Sequence, residues 1–300
     1  MKNIAVIGCG YWGKNLIRNF HELGVLTAVC DPVETLARSL SKQYSVPVKS
    51  WHEILNDASI RGVVLAVPVP LHATLCCEAL EAQKDVFVEK PLALTETEGM
   101  RVKKTLQESS QILLVGHLLR YHPAVETIRK LLSDGTIGSL KYIHSNRLNF
   151  GQIRANENAL WSLAPHDFSV IRHLIQSDIT SISAHGQCFF KDKTIDRSDI
   201  CITYASGVHA EVCVSWIHPF KERKLIVGGT KGMLVFDDTL PQNQKLKLYR
   251  HVCTRDKQLI IAEKTDPECI SFASDRTFES RMSTFHRLYA IPSATAYRHR

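Results

Sequence analysis

Short apolar runs alternate with segments of helical periodicity along the first 120 residues. The runs occupy residues 3–8, 25–30, 62–67, 85–89 and 112–117. In the segments between them, apolar residues recur at intervals of three and four, as on one face of an α-helix. Strands that are apolar along their whole length are typical of parallel sheets covered on both faces. We therefore predict an α/β domain with a parallel sheet over residues 1–120.

The periodicity changes from about residue 121. An amphipathic helix at 124–135 is followed by segments in which apolar and polar residues alternate, which is the pattern of strands with one exposed face. These strand patterns lie at residues 199–204, 208–216 and 225–237. We expect a second, α+β domain at residues 121–300 with an open, mostly antiparallel sheet. Its last 30 residues show no sustained period, which predicts an irregular or truncated end.

Length and composition agree with this two-domain organisation. The chain has 300 residues, of which 44% are hydrophobic and 22% are charged, and this is enough for two cores. It has no apolar run of 18 residues and no signal-peptide pattern, so we expect neither a membrane span nor export. The net charge of +7 comes from scattered residues without the spacing of nucleic-acid-binding motifs.

The spacing of cysteines and histidines argues against paired-cysteine sites and against metal sites. The nine cysteines form no CxxC pair, which indicates reduced thiols in a cytoplasmic protein. The fourteen histidines lack the spacing of recognised ligand sets, and we predict no metal. Candidate chemistry therefore has to come from other motifs.

The first turn, GCGYWG, is a candidate phosphate-binding loop. It places Gly8, Gly10, Tyr11, Trp12 and Gly13 between the first strand and the first helix. Glycines permit a tight turn and close approach of the backbone to a pyrophosphate, and the helix N-terminus supplies amide donors. Its place at the start of a βαβ unit is the context that a dinucleotide-binding motif requires. A plain strand-to-helix turn is the alternative, and we predict a Rossmann domain.

Asp31 indicates which dinucleotide the domain binds. It ends the second strand, where a carboxylate bonds the adenosine ribose hydroxyls and repels a 2′-phosphate. Pro32 and Val33 follow, and no arginine is present there to bind that phosphate. The sequence therefore favours NAD over NADP.

Lys90 follows an apolar strand in the stretch VFVEKPLA, residues 86–93. In open α/β sheets, ligands bind outside the carboxyl ends of the strands. Partial desolvation of a lysine at such a position favours the neutral amine, which is the form that accepts a proton. The alternative is a side chain that extends into solvent.

These features resemble the glucose-fructose oxidoreductase, inositol dehydrogenase and rhizopine-catabolism (Gfo/Idh/MocA) family over roughly residues 1–240. The resemblance rests on GCGYWG, Asp31, VPVPLH at 67–72 and EKP at 89–91. Four segments are similar to the nucleotide-sugar 3-dehydrogenases of that family: GYWGKNLIRNF, GHLLRYHPA, NRLNFGQIR and LWSLAPHD. The resemblance implies an NAD-dependent dehydrogenase of CH–OH groups. Its expected target is C3 of a UDP-N-acetylhexosamine or its uronate, used in bacterial polysaccharide biosynthesis.

The resemblance also implies roles for single residues. In the family, the lysine of EKP, here Lys90, lies beside the nicotinamide and the reacting hydroxyl. His166 would face the substrate hydroxyl from the start of a helix expected at 167–175, with a buried structural histidine as the alternative. The expected cofactor contacts outside the glycine turn and Asp31 are Pro68, His72, Glu89 and Arg120.

Substrate contacts are expected from polar and aromatic residues of the second domain: Arg147, Asn149, Arg154, Asn158 and Trp161. Arginines suit a diphosphate or a carboxylate, although each is equally compatible with a structural ion pair. Many sugar and inositol dehydrogenases of the family carry an aspartate four residues before the histidine. This chain has Ser162 there, so proton transfer would rest on Lys90 and His166.

Two other functions stay open at this point. One is a dehydrogenase of a free sugar or inositol, against which Ser162 counts. The other is an inactive cofactor-binding sensor, which the unusual C-terminal segment permits. The expected partner is a small-molecule substrate, with no nucleic acid and no membrane. An open sheet face with apolar residues favours self-association, and the family commonly forms homodimers or homotetramers.

Overall fold

The described residues divide into two units between His117 and Leu118. The computed structural model describes residues 3–151, 153, 157–190, 193–256 and 259–273, and for residues 251–256 and 259–264 only the backbone. Each unit has its own sheet and its own hydrophobic core. The irregular end that we expected for the last 30 residues lies almost wholly outside the described residues.

Five parallel strands form the sheet of the first unit. They are β1 (Ile4–Ile7), β2 (Leu26–Cys30), β3 (Gly62–Leu65), β4 (Asp85–Val88) and β5 (Leu113–Val115). Their order across the sheet is β2-β1-β3-β4-β5, and each pairing is parallel. β1 and β3 are buried along their whole length, as expected for a sheet covered on both faces. The predicted α/β fold is confirmed.

The described residues of this unit form five α-helices, α1 (Gly13–Glu22), α2 (Glu34–Tyr44), α3 (Trp51–Asn56), α4 (His72–Glu81) and α5 (Glu96–Gln107), and a 3₁₀ helix at Val69–Leu71. α5 begins with a capping box, in which the Glu98 amide donates to Thr95 Oγ1 at 3.2 Å and the Thr95 amide donates to Glu98 Oε2 at 3.2 Å. Ser50 and Glu53 cap α3 in the same way. Hydrophobic periodicity did not predict α3, because six residues are too few to show a helical period.

The second unit is built on nine strands: β6 (Leu140–Phe150), β7 (Ile179–Gln187), β8 (Arg197–Tyr204), β9 (His209–Ser215), β10 (Ile217–Gly229), β11 (Gly232–Asp237), β12 (Leu246–Asp256), β13 (Leu259–Lys264) and β14 (Glu268–Cys269). The order is β13-β12-β11-β10-β6-β9-β8-β7, with β14 beside β12. Of the described pairings, that of β6 with β9 is parallel and the others are antiparallel. The predicted open and mostly antiparallel sheet is confirmed.

Helices α6 (Pro123–Ser133) and α7 (Ala159–Leu174) share an apolar core with this sheet. Side chains alternate along β9 as predicted, with Val212 buried and Glu211 exposed. Glu211 Oε2 lies 3.1 Å from His144 Nδ1 of β6 on the outward face. This polar pair lies beside apolar residues, since Ile226 of β10 is opposite His144 in the register and Val235 of β11 is opposite Ile226. Self-association through this face stays a prediction.

α7 begins earlier than predicted. We expected a helix at 167–175 with His166 at its start, but the helix begins at Ala159 and contains Pro165. Asn158 caps it, since Asn158 Oδ1 accepts the Trp161 amide at 2.9 Å. A proline inside a helix removes one backbone hydrogen bond and bends the chain without always ending it. His166 consequently lies in the middle of α7.

Candidate functional site

Two glycines of the first turn are required by close backbone packing. Gly8 has a φ of +99°, and a Cβ on it would lie 2.3 Å from the Ala66 carbonyl oxygen. A Cβ on Gly13 would lie 1.9 Å from the carbonyl oxygen of Gly8. The Cβ position of Gly10, in contrast, has no heavy atom within 4 Å among the described residues. Gly8 and Gly13 therefore close the turn, whereas Gly10 leaves its backbone accessible.

Asp31 holds this turn from just beyond the end of β2. Its Oδ2 accepts the Cys9 amide at 2.6 Å, and its Oδ1 accepts the Val33 amide at 2.8 Å. Because each carboxylate oxygen can accept more than one donor, these bonds are compatible with the ribose contact predicted for Asp31. The bond to Cys9 depends on the register of β1 against β2, which the sequence alone did not provide.

The N-terminus of α1 suits an anionic ligand. The first turn of α1 contains no acidic residue, and no side chain of the described residues caps its first amides. The Lys14 and Asn15 amides donate to the carbonyl oxygens of Gly10 and Trp12 at 3.1 and 3.0 Å, so a phosphate would meet the exposed backbone of the turn and the partial positive charge of the helix end. Gly10 and Tyr11 are exposed at the tip of the turn. The residues present fit NAD, with the turn suited to its pyrophosphate and Asp31 to its ribose.

A hydrogen bond joins the glycine turn to the EKP segment. Trp12 Nε1 donates to Glu89 Oε1 at 2.6 Å, across 77 residues of sequence. Gly116, just after β5, makes room for this carboxylate, since a Cβ on Gly116 would lie 3.1 Å from Glu89 Oε2. Glu89, which directly precedes Lys90, therefore connects the glycine turn to the EKP segment. The cofactor contacts predicted for Trp12 and Glu89 stay predictions.

Lys90 is partly buried and is followed by a cis bond to Pro91. Its partial burial argues against a side chain that extends wholly into solvent. His72 supports the same segment from within the unit, because its Nδ1 lies 2.7 Å from the Pro91 carbonyl oxygen and its Nε2 lies 3.0 Å from that of Val67. His72 is 1% exposed. The structure gives His72 a supporting position, and its cofactor contact stays a prediction.

In the second unit, α7 carries several of the candidate residues. Asn158 caps the helix, Trp161 in its first turn is 39% exposed, and Ser162 is buried. His166 is partly buried. Ser162 and His166 are four residues apart and so lie on the same side of a helix. The capping bond gives Asn158 a structural role, and its substrate contact, like the roles of Trp161 and His166, stays a prediction.

Asp167, which the sequence analysis missed, is the centre of a buried network. Arg147 Nε donates to Asp167 Oδ2 at 2.8 Å, and Arg147 Nη2 donates to Asp167 Oδ1 at 3.0 Å. The Ser145 hydroxyl donates to the same Oδ1 at 2.8 Å. One signal could have revealed it: Ser145 and Arg147 are two residues apart on the strand, and so share its inward face.

This network gives Arg147 the structural ion pair that the sequence left open as an alternative, and its substrate contact stays a prediction. Burial acts to lower the pKa of Arg147, but the Asp167 carboxylate outweighs burial and the pKa is raised. The pair is therefore charged, and the guanidinium is engaged inside the unit. A pocket of about 20 Å³ beside the pair has room for roughly one water molecule and is too small for a sugar.

The remaining candidates are more loosely placed. Pro68 and Arg120 are exposed, and Asn149 is partly buried in β6. The Arg120 guanidinium carbon lies 5.7 Å from the centre of the Tyr121 ring. Arg154 lies outside the described residues. Cofactor or substrate contacts of these four residues stay predictions.

The thiol of Cys9, in the glycine turn, has low reactivity. Burial, followed by the nearby Asp31 carboxylate, raises the pKa of Cys9 to about 12. Burial likewise raises the pKa of Cys76 to about 12. Every cysteine whose side chain is described is a free thiol. The thiols of Cys9 and Cys76 are therefore neutral and poor nucleophiles near pH 7.

The described residues hold neither a candidate metal cluster nor a membrane-spanning helix. Within them, no group of three or more His, Cys, Asp or Glu side chains could hold a metal ion. Each helix in the described part of the chain is too short or too polar to cross a bilayer.

Comparison with known families identifies both units. Residues 2–117 match the oxidoreductase family with an NAD-binding Rossmann fold, and residues 125–235 match the GFO/IDH/MocA C-terminal domain. Together these matches span most of the chain, which therefore belongs to the Gfo/Idh/MocA oxidoreductase family. The predicted family, the NAD cofactor and the enzyme class, a dehydrogenase acting on CH–OH groups, are confirmed.

Individual relatives act on different substrates. The chain is 27% identical over 249 residues to the scyllo-inositol 2-dehydrogenase (NAD(+)) of Bacillus subtilis, covering 77% of this chain and 72% of the relative. It is 31% identical over 253 residues to the 2,7-anhydro-N-acetylneuraminate hydratase of Mediterraneibacter gnavus, covering 78% of this chain and 66% of the relative. Membership of the family thus leaves the substrate undetermined.

Solved structures share the fold. A UDP-N-acetylglucosamine 3-dehydrogenase from Acidithiobacillus ferrooxidans has a TM-score of 0.80 at 20% identity, covering 96% of this chain and 88% of that one. An NAD-binding protein from Listeria innocua has a TM-score of 0.77 at 17% identity, covering 95% and 90%. At these identities the likeness concerns the fold and not the substrate.

Proposed function

We propose that this NAD-dependent enzyme oxidises C3 of a UDP-N-acetylhexosamine or its uronate. The observation that carries the proposal is Ser162, a buried hydroxyl residue one helical turn before His166. Many sugar and inositol dehydrogenases of the family carry an aspartate at that position. The sequence segments similar to nucleotide-sugar 3-dehydrogenases, including LWSLAPHD around Ser162, support the same substrate.

Lys90 and His166 are the proposed proton acceptors. NAD, when bound, supplies the hydride acceptor. As the hydride leaves the C3 carbon, the hydroxyl proton passes to Lys90 Nζ or to the His166 imidazole, and a 3-keto sugar results. Imidazole titrates in the range that general base catalysis near neutral pH requires. A serine at 162 adds no carboxylate to this proton transfer.

A free cyclitol or sugar is the second candidate substrate. It is favoured by the similarity of the chain to the scyllo-inositol 2-dehydrogenase of Bacillus subtilis, at 27% identity. The two candidates differ in the diphosphate and the uracil, which the free sugar and the cyclitol lack. A direct comparison of substrates therefore separates them.

The proposal is tested by following NADH formation at 340 nm. The substrates are UDP-N-acetylglucosamine, its uronate, free N-acetylglucosamine, myo-inositol and scyllo-inositol. We expect turnover with the UDP-sugars, and a 3-keto product by mass spectrometry and NMR. Turnover with an inositol and none with the UDP-sugars would replace the first candidate by the second, and turnover with none would refute both.

Replacing Lys90 tests its role within the same assay. We expect Lys90→Met to lower kcat by about 10²- to 10⁴-fold, the usual contribution of a positioned general base, with NADH binding retained. Lys103→Met is the matched control, because Lys103 is exposed on α5. Near-normal turnover of Lys90→Met would exclude this lysine as the base.

Self-association as a homodimer or homotetramer is also proposed, and sedimentation equilibrium measures it.

A further inference from the structure

We infer that Arg147 is a positioning residue for His166 and acts through Asp167, the neighbour of His166 in α7. The inference rests on the proposed function in one respect, namely that His166 belongs to the reacting site. Arg147 itself faces the interior, with its side chain 14% exposed and that of Asp167 4% exposed. It therefore serves the site from behind the helix rather than by contact with substrate.

The segment of α7 that carries His166 lacks part of its own backbone support. Pro165 has no N–H, so the carbonyl of Trp161 loses the helical hydrogen bond that residue 165 would donate. Earlier in the helix, the bond from the Ser162 amide to the Asn158 carbonyl oxygen at 3.0 Å is present. Helices bend where this ladder is interrupted. The direction of His166 thus depends on contacts that fix the helix beyond the proline.

Asp167 supplies such a contact two residues after the proline. Its carboxylate accepts two parallel bonds from Arg147 and one from Ser145, at 2.8–3.0 Å. A two-bond pair between planar groups fixes orientation as well as distance. Consecutive helical residues are about 100° apart, so a fixed Asp167 also fixes the direction in which His166 leaves the helix.

The other charges around the pocket are paired with one another. Asp238, on the opposite wall, accepts from Lys245 Nζ at 2.6 Å and lies 3.8 Å from Arg223 Nη1. Lys224 Nζ lies 3.6 Å from Asp237 Oδ2. Among the described residues, this leaves Arg147 as the cation in contact with Asp167. Removal of the guanidinium would leave a buried carboxylate without its counter-charge, and α7 would shift to hydrate it.

The test compares Arg147→Met, Arg147→Lys and Ser145→Ala with the control Arg197→Met. Arg197 lies on β8 of the same sheet and pairs with Asp199 at 2.9 Å, but both side chains are about 40% exposed. The direct readout is the histidine ring NMR spectrum of the NAD-bound enzyme, with the His166 signals assigned from their loss in His166→Gln. We expect the His166 signals to shift or broaden in Arg147→Met, to recover in part in Arg147→Lys, and to stay unchanged in the control.

Kinetics supply the second readout. We expect kcat of Arg147→Met to fall about 10- to 100-fold, as for misplacement of a reacting group, with the KM for NAD changed less than twofold. The isotope effect on kcat from deuterium at the reacting carbon should rise. Mere loss of folded enzyme would lower the number of NAD-binding sites and leave the isotope effect unchanged.

Two outcomes separate this inference from the proposed function. Unchanged His166 signals in Arg147→Met with full NAD stoichiometry would overturn it. Should that variant fail to fold, Ser145→Ala and Arg147→Lys decide, and unchanged His166 signals in both would overturn it as well. Absence of turnover in the wild-type enzyme refutes the proposed function, and the NMR comparison still decides the role of Arg147.

Discussion

The two units hold their candidate residues by different physical means. In the first unit, the glycine turn is closed by contacts between backbone atoms, since a Cβ on Gly13 would lie 1.9 Å from the Gly8 carbonyl oxygen. In the second unit, buried carboxylates join neighbouring elements, as Asp167 joins α7 to β6 by bonding Arg147 and Ser145. The contact between Gly13 and Gly8 involves near neighbours in sequence, whereas the packing of Gly8 against Ala66 and the pairing of buried charges depend on partners brought together by the fold.

Asp196 is a second example of a buried carboxylate in the second unit. It is 1% exposed and accepts the Trp216 indole N–H at 2.6 Å, the Phe189 amide at 2.7 Å and the Phe190 amide at 3.1 Å. These bonds fix the loop between β7 and β8 against the end of β9. A backbone hydrogen bond also joins the residue before Asp196 to the start of α7, because the Ala159 amide donates to the Ile195 carbonyl oxygen at 2.8 Å.

The largest effect is expected from a variant that disrupts the close contact between Gly13 and Gly8 in the first unit. Gly13→Ala should lower the free energy of unfolding by about 3 kcal/mol or more, since a Cβ there meets backbone atoms that cannot easily move. Denaturant unfolding followed by circular dichroism measures it. Gly10→Ala is the matched control and should unfold nearly as the wild type does, but bind NADH more weakly. Equal stability of the two variants would contradict the steric account.

The next largest effect is expected from a variant that removes the buried charge of Asp196 in the second unit. Asp196→Asn should cost about 2–3 kcal/mol of unfolding free energy, because an amide nitrogen then faces N–H donors in a buried site. Burial acts to raise the pKa of Asp196, but the bonds from Phe189, Trp216 and Phe190 outweigh it and the pKa is lowered.

The sign of the pH dependence follows from that lowered pKa. An unfolded aspartate titrates near about 3.9, so the unfolded chain takes up this proton first as the medium is acidified. The contribution of Asp196 to stability is therefore full above about pH 4 and is lost as pH falls through its folded pKa. The difference between wild type and Asp196→Asn should shrink below pH 4, and a constant difference down to pH 2 would contradict this account.

The smallest expected effect concerns the bond between the glycine turn and the EKP segment. Trp12→Phe keeps an aromatic ring but removes the donor to Glu89. Because the pair is at the surface, we expect a loss of about 1 kcal/mol, seen as a three- to tenfold weaker NADH affinity by fluorescence titration. Tyr44→Phe is the control, since Tyr44 lies on α2, outside the glycine turn and the EKP segment. A weakening of the same size in both variants would contradict the role of the bond between Trp12 and Glu89.

The fold and part of the candidate site were predictable because their signals are local. The strands of the first unit are marked by continuous apolar runs and α5 by Thr95 and Glu98, all within a few residues. The start of α7 was misplaced, because Pro165 is a helix-breaking residue whose cost is offset by packing and by the Asn158 cap. Local propensity is a weak guide where tertiary contacts override it.

The sequence by itself determined the two domains, the glycine turn, the NAD cofactor and the family, because each depends on residue types at short and fixed spacings. Only the tertiary structure decided that Arg147 pairs with Asp167, that His72 supports the segment after Lys90, and that Trp12 bonds Glu89. These partners are 20, 19 and 77 residues apart. No periodicity relates residues at such separations, and only the register of strands and the packing of helices bring their polar atoms within hydrogen-bonding distance.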